Sequence, residues 1–303
     1  MKPGAIGVVV HPRRDSHAMI ECVVRWAEGH GKEVRGLEEA RELMPSSVRT
    51  VPEEELAVGA GLMMGLGGDG TILRAAEIAH ESGTPILGVN LGHVGFLAEA
   101  EYDDVSATMD AIVARRYAAE DRLTIDVSVF RDGELVARTF ALNEASVEKA
   151  ARERMLEVVV EVDGRPLSRW GCDGVVCATP TGSTAYNFSA GGPVVWPGVE
   201  ALLMVPISAH ALFARPLVVA PTSVLAVEVI GPAEAAGVLW CDGRRTVELS
   251  PGARIEVRRG ERPVRLVRLH EAPFTDRLVA KFDLPVEGWR GASERRRRGG
   301  NGA

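Results

Sequence analysis

The chain has 303 residues, 46% of them hydrophobic and 25% charged, so it is long enough for two globular domains with ordinary cores. The net charge is -7 and becomes -10 without the +3 of the run Glu294–Arg298 (four arginines less one glutamate), which argues against broad nucleic-acid binding by the folded body. Four scattered cysteines, no membrane-length apolar stretch and no signal-peptide pattern argue against a disulfide framework, structural zinc or membrane insertion, and predict a cytoplasmic protein.

The amino-terminal part of the chain begins with a strand and a helix. The apolar run at residues 5–10 predicts a buried strand, and Asp15 or Ser16 can begin a helix that ends near Gly29. The helix follows from apolar side chains at helical spacing: Met19, Ile20, Val23, Val24 and Ala27. A short strand is expected around Val34, whereas residues 38–58 are acidic and poorly patterned.

Two more strand–helix pairs follow. Residues 62–66 predict a strand, and a glycine loop at 67–71 leads into a helix from about Ile72 to His80. Residues 85–89 predict the next strand, with a helix that begins at Asp103 or Asp104. This alternation predicts an α/β domain with a parallel sheet over residues 1–121.

The pattern changes near Arg122 to alternating apolar and polar residues, which is typical of half-buried strands. Asp132-Gly133 and Asp163-Gly164 are hairpin-turn signals. Residues 122–266 therefore predict an all-β, sandwich-like domain. Its strands are expected at 123–129, 136–142, 158–162, 217–220, 224–230, 238–241, 246–249 and 255–258.

The end of the chain divides into two segments. A final helix is expected at residues 273–279, in a segment 267–290 that returns to the first domain. Residues 291–303 form a basic tail with nothing to bury, which predicts disorder.

The glycine loop Gly67-Gly68-Asp69-Gly70-Thr71 is the first candidate site. Three glycines are costly in chain entropy, so backbone that turns tightly and approaches a ligand closely is the best explanation. At a strand-to-helix junction the ligand is commonly a phosphate, because free N–H groups and the helix dipole point at it. A carboxylate would repel that phosphate unless a metal lies between them or it takes a proton from an attacking hydroxyl. The loop therefore indicates phosphoryl transfer; the plain structural alternative is a tight turn with Asp69 or Thr71 as the N-cap.

A second candidate site is the polar segment at residues 171–193, which is not expected to behave like sheet. Its hydroxyls and amides suit ribose, phosphate or a base edge, Tyr186 offers a ring for stacking, and Asp173 can accept a hydrogen bond from a ligand amine. The alternative is a long polar loop with hydroxyl-capped turns. Asn143-Glu144, at a strand end, is a weaker candidate for ribose or carboxamide recognition.

Taken together, these segments resemble bacterial-type NAD kinases over almost the whole chain. The first motif is shared with diacylglycerol-type lipid kinases and, more loosely, phosphofructokinases, whereas Thr179–Tyr186 is far more specific to NAD kinases. The motifs that carry the resemblance are Gly67–Thr71, Asn90–Gly92 with Gly95–Leu97, Asn143-Glu144, Asp173-Gly174 with Thr179–Tyr186, and Ser189–Pro193.

The resemblance implies an α/β domain, a β-sandwich-like domain and a site between them. It implies ATP-dependent phosphorylation of the adenosine-ribose 2′-hydroxyl of NAD to give NADP, with Asp69 as general base. Mg²⁺ would be carried by ATP, with no dedicated protein site. It implies nucleotide contacts from Gly67, Gly68, Gly70, Thr71, Arg74, Asn143, Glu144, Arg154, Asp173, Thr184, Ala185, Tyr186 and Ser189.

One position departs from the family pattern, because Arg244 follows Asp242-Gly243 where relatives often have glutamine. The resemblance also implies a homodimer or homotetramer, and leaves open whether polyphosphate replaces ATP and whether NADH is accepted. Two other functions are weighed: a diacylglycerol-type lipid kinase, which would need an apolar groove where 171–193 is polar, and a non-catalytic NAD(P) sensor, which would not need an acid in the loop.

Overall fold

The structure is a computed structural model that describes residues 4–91, 95–101, 105–114, 116–151, 154–231, 236–269 and 273–286. The predicted tail at 291–303, Gly92 and the predicted helix starts Asp103 and Asp104 lie outside the described residues. None of the described helices combines the length and apolar character needed to cross a bilayer.

The first unit is an eight-stranded, mostly parallel sheet with the order β3-β2-β1-β4-β5-β20-β7, in which β6 pairs with β5. Its strands are β1 (Ala5–Val10), β2 (Val34–Leu37), β3 (Arg49–Val51), β4 (Ala60–Leu66), β5 (Ile86–Asn90), β6 (Ala100–Glu101), β7 (Ala118–Arg122) and β20 (Val264–Arg268). Its helices are α1 (His17–Gly29), α2 (Glu53–Leu56), α3 (Asp69–Ala79) and α4 (Val105–Val113).

Both faces of this sheet are covered, which explains why every residue of β1 is buried. Val8 packs with Ile20 and Met109, from α1 and α4, on one face. Val9 packs with Ile72 of α3 on the other face. The helix expected from Ile72 begins three residues earlier, at Asp69, so the acid of the glycine loop lies in its first turn.

The second unit is a sandwich of two six-stranded antiparallel sheets around a shared core that contains the fully buried Trp170. One sheet has the order β15-β14-β13-β10-β17-β18 and the other β12-β11-β16-β19-β8-β9. The strands are β8 (Ile125–Arg131), β9 (Glu134–Ala141), β10 (Glu144–Lys149), β11 (Leu156–Val162), β12 (Arg165–Cys172), β13 (Gly174–Ala178), β14 (Leu202–Ile207), β15 (Leu217–Val219), β16 (Leu225–Ile230), β17 (Gly237–Cys241), β18 (Arg245–Leu249) and β19 (Arg254–Arg259). This two-unit architecture confirms the predicted fold class.

The expectation that residues 171–193 avoid the sheet is wrong for their first part. The end of β12 and all of β13 lie within 171–178, and β13 is central in its sheet, with all five residues buried. Only the part after Ala178 leaves the sheet, as a 3₁₀ turn at Thr181–Thr184 and the short helix α5 (Tyr186–Ser189). Tyr186 and Val195 pack on the outer face of the sheet, against Val176 and Val205.

The chain re-enters the parallel sheet at Val264, three residues before the predicted segment 267–290 begins. Strand β20 lies parallel to β5 and antiparallel to β7, so the last strand fills the gap between them. Helix α6 (Phe274–Phe282) follows, and Arg277 donates to the carbonyl oxygens of Phe96 and Ala98 at 3.0 and 2.7 Å.

Candidate active site

The carboxylate of Asp69 is held by backbone from another part of the chain. Its Oδ2 accepts a hydrogen bond from the N–H of Phe96 and its Oδ1 one from the N–H of Leu97, both at 3.1 Å. A side chain at Gly95 would collide with Asp69 Oδ1, so a glycine is needed there for this close approach. Asp69 makes no side-chain cap to its own helix, and neither does Thr71, so the alternative of a simple N-cap does not describe this loop.

Gly67 is tightly packed within the loop, whereas Gly68 and Gly70 have free space around them. A Cβ at Gly67 would collide with Thr71 Oγ1, which makes Gly67 a packing requirement of the turn. Gly68 and Gly70 have nothing within 4 Å of a Cβ position. Both line a cavity of about 610 Å³ at the start of α3, together with Thr71 and Arg74. Exposed backbone at a helix start is a favourable place for phosphate.

The cavity extends from the parallel sheet to the β17–β18 turn of the sandwich, which contributes Asp242, Gly243 and Arg244. Arg244 Nε donates to Glu77 Oε2 at 3.0 Å, and thus ties this turn to α3. The same Glu77 pairs with Arg74 at 3.2 Å. The residue that departs from the family pattern therefore supplies a cation at the wall of the cavity.

Arg74 lies in the cavity wall but is already paired. Its guanidinium contacts Glu53, Glu77 and Glu39. Burial would lower the pKa of Arg74, but these carboxylates outweigh it and raise the pKa above its usual value. A phosphate that approaches Arg74 has to compete with three carboxylates for it.

Asn143 and Glu144 are buried beside this cavity because Asp242 anchors their backbone. Asp242 Oδ1 accepts hydrogen bonds from the N–H groups of Asn143 at 2.7 Å and Glu144 at 3.3 Å, and Oδ2 accepts one from Leu142 at 3.0 Å. Arg245 Nη2 pairs with Asp242 Oδ2 at 2.8 Å. Burial is the main cause that raises the pKa of Asp242, and these hydrogen bonds oppose it.

Glu144 is a second carboxylic acid of the site whose pKa is raised. Burial and the nearby charge of Asp242 raise its pKa to about 8. Its Oε2 accepts the N–H of Tyr186 at 3.3 Å, which connects it to the Thr179–Tyr186 segment. At neutral pH its protonated form can donate one hydrogen bond to a ligand while it accepts that of Tyr186.

The Thr179–Tyr186 segment is packed against the Asn143-Glu144 strand end. A Cβ at Gly182 would collide with the carbonyl group of Asn143, and Thr179 Oγ1 donates to the carbonyl of Leu142 at 2.6 Å. Thr184, Ala185 and Tyr186 are therefore held next to Glu144 and remain partly accessible, and Ser189 is exposed. Burial, followed by the charges of Glu148, Glu144 and Asp173, raises the pKa of Tyr186.

Asp173 and Arg154 do not line the cavity, although the charge of Asp173 acts on the Tyr186 phenol. Asp173 precedes β13 at the end where Gly174 pairs with Glu148, whereas Glu144 pairs with Ala178 at the other end. Asp173 pairs instead with Lys149, which holds the pKa of its carboxyl below the usual value. Arg154 is exposed in the connection from β10 to β11, and it does not line the cavity that Gly68 and Asp242 line.

Sequence reasoning missed three contributors to the site. The sequence patterns mark Asp242 only as part of an Asp-Gly pair and Gly95 only as part of a motif, and they do not single out Glu77. The Asp-Gly signal marks a turn, and Asp242 does adopt a positive φ of 52°. Nothing in the sequence indicates that its carboxylate reaches the strand of Asn143.

Two family models match the chain, one described as the ATP-NAD kinase N-terminal domain over residues 6–117 and the other as its C-terminal domain over residues 142–269. The chain belongs to the ATP-NAD kinase family. It is 64% identical over 276 residues to "NAD kinase 2" of Streptomyces coelicolor, covering 90% of this chain and 91% of that one. It is 66% identical over 249 residues to "NAD kinase" of Thermobifida fusca, covering 81% of this chain and 76% of that one.

Solved structures of ATP-NAD kinase type share the fold. An NAD kinase from Archaeoglobus fulgidus, in complex with ATP, superposes with a TM-score of 0.71 at 27% identity, over 92% of this chain and 98% of that one. Yeast NADH kinase, complexed with NADH, gives a TM-score of 0.84 at 24% identity, over 95% of this chain and 90% of that one, which is evidence for the fold alone. These matches confirm the resemblance on which the sequence interpretation depends.

Proposed function

We propose that this chain transfers the γ-phosphoryl group of ATP to the 2′-hydroxyl of the adenosine ribose of NAD, which gives NADP. Membership of the ATP-NAD kinase family makes it an ATP-dependent kinase that acts on NAD. The chemical assignment rests on Asp69, which lies in the first turn of α3. Its carboxylate is held by the backbone N–H groups of Phe96 and Leu97, from another segment of the chain.

In the reaction, Asp69 accepts the proton of the 2′-hydroxyl while that oxygen forms a bond to the γ-phosphorus. The bond from the γ-phosphorus to the β,γ-bridging oxygen breaks, and ADP leaves. Positioning and charge neutralisation supply most of the catalysis in such a loose transition state. The amides of the Gly68–Gly70 turn and the dipole of α3 are suited to hold phosphate oxygens beside Asp69.

The sugar and base of NAD are assigned to the sandwich side of the cavity. Asn143 offers an amide and Glu144 a carboxylic acid with a pKa of about 8, both suited to ribose hydroxyls or the adenine edge. We assign Thr184, Ala185, Tyr186 and Ser189 to the adjoining nucleotide-binding surface, because the N–H of Tyr186 donates to Glu144, and we expect the Tyr186 ring to stack on a base. Thr71 and Arg74 line the parallel-sheet side of the cavity next to Gly67, and Asp173 and Arg154 stay predicted nucleotide contacts.

We propose that a magnesium ion arrives with ATP, carried by its phosphates. Asp69 already accepts two N–H groups, and the cations of Arg74 and Arg244 favour phosphate oxygens in the cavity wall. When bound, Mg²⁺ neutralises charge on the transferred phosphates.

We infer a homodimer or homotetramer in the cytoplasm. Exposed apolar side chains on the sandwich, such as Leu135, Val136, Leu212 and Phe213, support self-association. The four cysteines are free thiols, which supports a reducing compartment. Light scattering on the purified protein measures the oligomer number directly.

The test is NADP formation by the purified protein from NAD and Mg-ATP, followed with an NADP-specific dehydrogenase. Parallel reactions replace ATP with polyphosphate, NAD with NADH, or NAD with diacylglycerol. NADP that accumulates only with NAD and a phosphoryl donor supports the proposal. Phosphorylated lipid would establish the lipid-kinase alternative, and NAD binding without any turnover would establish the sensor.

A further inference from the structure

A second cavity of about 580 Å³ lies at the edge of the parallel sheet, away from the glycine loop. Its described lining residues come from β7, β20, α6 and the loop around Trp196, and none of them lines the first cavity. Four of them are arginines, Arg116, Arg122, Arg268 and Arg277, against the single acid Glu120. Such a cluster is unexpected in a chain with a net charge of -7.

The buried arginines of this cavity are only partly neutralised by described residues. Glu120 Oε2 accepts from Arg122 Nη2 at 2.9 Å and from Arg268 Nε at 2.6 Å. Glu99 Oε2 accepts from Arg268 Nη1 at 3.0 Å and from Arg277 Nη2 at 2.8 Å. Among the described residues, three guanidinium groups therefore share two carboxylates, and Arg116 adds a further cation at the exposed rim.

Two nitrogens in this cluster have no hydrogen-bond partner among the described residues. They are Arg122 Nε and Arg268 Nη2, on side chains that are 7% and 10% exposed. A buried donor without a partner costs free energy, more so when it is charged. Burial, with the like charges of Arg268 and Arg277, lowers the pKa of Arg122 despite its pairing with Glu120.

The third feature is an aromatic wall. Trp196 is 49% exposed and meets Phe274 edge to face, with ring centroids 5.1 Å apart, and both line the cavity. A guanidinium fork matches phosphate oxygens, and a half-exposed indole offers apolar surface for the rest of a ligand. The volume falls within the range of small-molecule sites.

We propose that this cavity is a second binding site, distinct from the kinase site, for a phosphorylated small molecule. Its phosphate lies against Arg122 and Arg268, and its apolar part lies against Trp196. A doubly charged phosphate offsets the surplus positive charge better than a single carboxylate does. The inference stands apart from the kinase reaction, because it depends on none of the residues assigned to catalysis.

The test is a fluorescence titration of the full chain with inorganic pyrophosphate and, separately, with AMP. Trp196 is the reporter, and the signal has to disappear in Trp196→Phe. Arg268→Gln is expected to weaken binding by at least about 10-fold, because it removes a charged, buried donor. Arg116→Ala, at the rim, is expected to weaken it by about 2- to 5-fold with little effect on folding.

Two controls separate this site from other effects. Arg265→Gln makes the same charge change on the same strand, but its side chain is exposed, pairs with Asp121 and does not line the cavity, so binding is expected to stay unchanged. Gly68→Val places a side chain in the first cavity and is expected to leave the Trp196 signal intact.

The two ligands distinguish the source of the phosphate. Tighter binding of AMP indicates a ligand with a ring or apolar part, such as a nucleotide, whereas equal or tighter binding of pyrophosphate would contradict the proposed contact of an apolar part with Trp196. The inference is overturned if neither ligand gives a Trp196-dependent signal, or if Arg116→Ala and Arg268→Gln bind like Arg265→Gln. If Arg268→Gln fails to fold, as judged by circular dichroism, Arg116→Ala alone decides the outcome.

Discussion

Asp69 and Asp242 make similar hydrogen bonds to the backbone, but their surroundings differ. Each accepts backbone N–H groups from another segment of the chain, Asp69 from Phe96 and Leu97, and Asp242 from Leu142, Asn143 and Glu144. Asp242 is 8% exposed and paired with Arg245, whereas Asp69 is half-buried and has no described cation partner within ion-pair distance.

In the proposed reaction, this difference separates a structural carboxylate from a reactive one. An ion pair and three N–H groups saturate Asp242, so it holds a strand end in place. Asp69 is positioned by two N–H groups yet keeps lone pairs for a hydroxyl proton. Substitutions at each aspartate and its neighbours therefore should have separate effects on activity and stability.

Asp69→Asn is expected to have the largest effect. It preserves shape but removes the proton acceptor, so kcat should fall by about 10²–10⁴-fold while NAD still binds. Steady-state kinetics and calorimetric titration with NAD measure the two quantities. Turnover near that of the wild type would refute the assignment of Asp69 as general base.

Gly95→Ala should displace Asp69 without changing its chemistry. The new methyl group would collide with Asp69 Oδ1, and a displacement of about 1 Å at a reacting group can cost on the order of 10²-fold in kcat. Gly83→Ala is unsuitable as a control, because Gly83 has a positive φ of 62°. Gly29→Ala is suitable, because its Cβ meets nothing within 4 Å, and an equal loss in both variants would contradict the explanation.

Asp242→Asn should act on stability first. It leaves Arg245 without its buried partner and weakens the acceptor for three N–H groups, which should cost roughly 1–3 kcal/mol of unfolding free energy. Urea denaturation measures this cost. Asp132→Asn is the matched control, since Asn tolerates the positive φ of that exposed turn, and it is expected to be nearly neutral.

Glu144→Gln should change how stability depends on pH. The pKa of Glu144 is about 8 in the folded chain against an ordinary 4.5, so the folded state holds a proton that the unfolded state loses between these values. The contribution of Glu144 to the free energy of unfolding is therefore fully present below about pH 4.5, and it is lost as the pH rises to about 8. The variant should be relatively more stable at pH 8.5 than at pH 4.5, by on the order of 1 kcal/mol or more. If the free energy of unfolding depends on pH in the same way in the wild type and in Glu144→Gln, this explanation is contradicted.

Tyr186→Ala should have the smallest effect. Loss of ring stacking is expected to raise KM for NAD by about 2- to 10-fold with little change in kcat. Phe188→Ala, in the same short helix, removes a ring that stacks on Phe282 instead, and serves as the comparison. An unchanged KM in Tyr186→Ala would argue against stacking at this position.

The fold class and the two loop motifs could be predicted from sequence because they depend on local patterns. Strand and helix periodicity indicated the α/β and all-β units, and glycine clusters indicated the loops. Long-range pairing could not be predicted. Nothing local shows that Val264–Arg268 inserts beside β5, or that residues 171–178, at the start of a segment rich in glycines and hydroxyls, include a buried central strand.

The same limit applies within the site. The glycine loop identified Asp69, but its partners Phe96 and Leu97 lie 27 and 28 residues away. Asp242 is 99 residues from Asn143. Asp173 and Thr179 lie at opposite ends of β13, and sequence alone does not show that the Tyr186 side chain folds back over Val176 to within reach of the charge of Asp173.

Strand β20 also has a consequence for how the chain is made. Because it fills the place between β5 and β7, the parallel sheet stays unfinished on the ribosome until the whole sandwich has been synthesised. Until then, the part of β5 at Ile86, which pairs with Leu266 in the finished sheet, has no partner strand, and an unpaired strand edge favours misassembly. A premature stop anywhere before Val264 would therefore compromise the amino-terminal half as well as the carboxyl-terminal one.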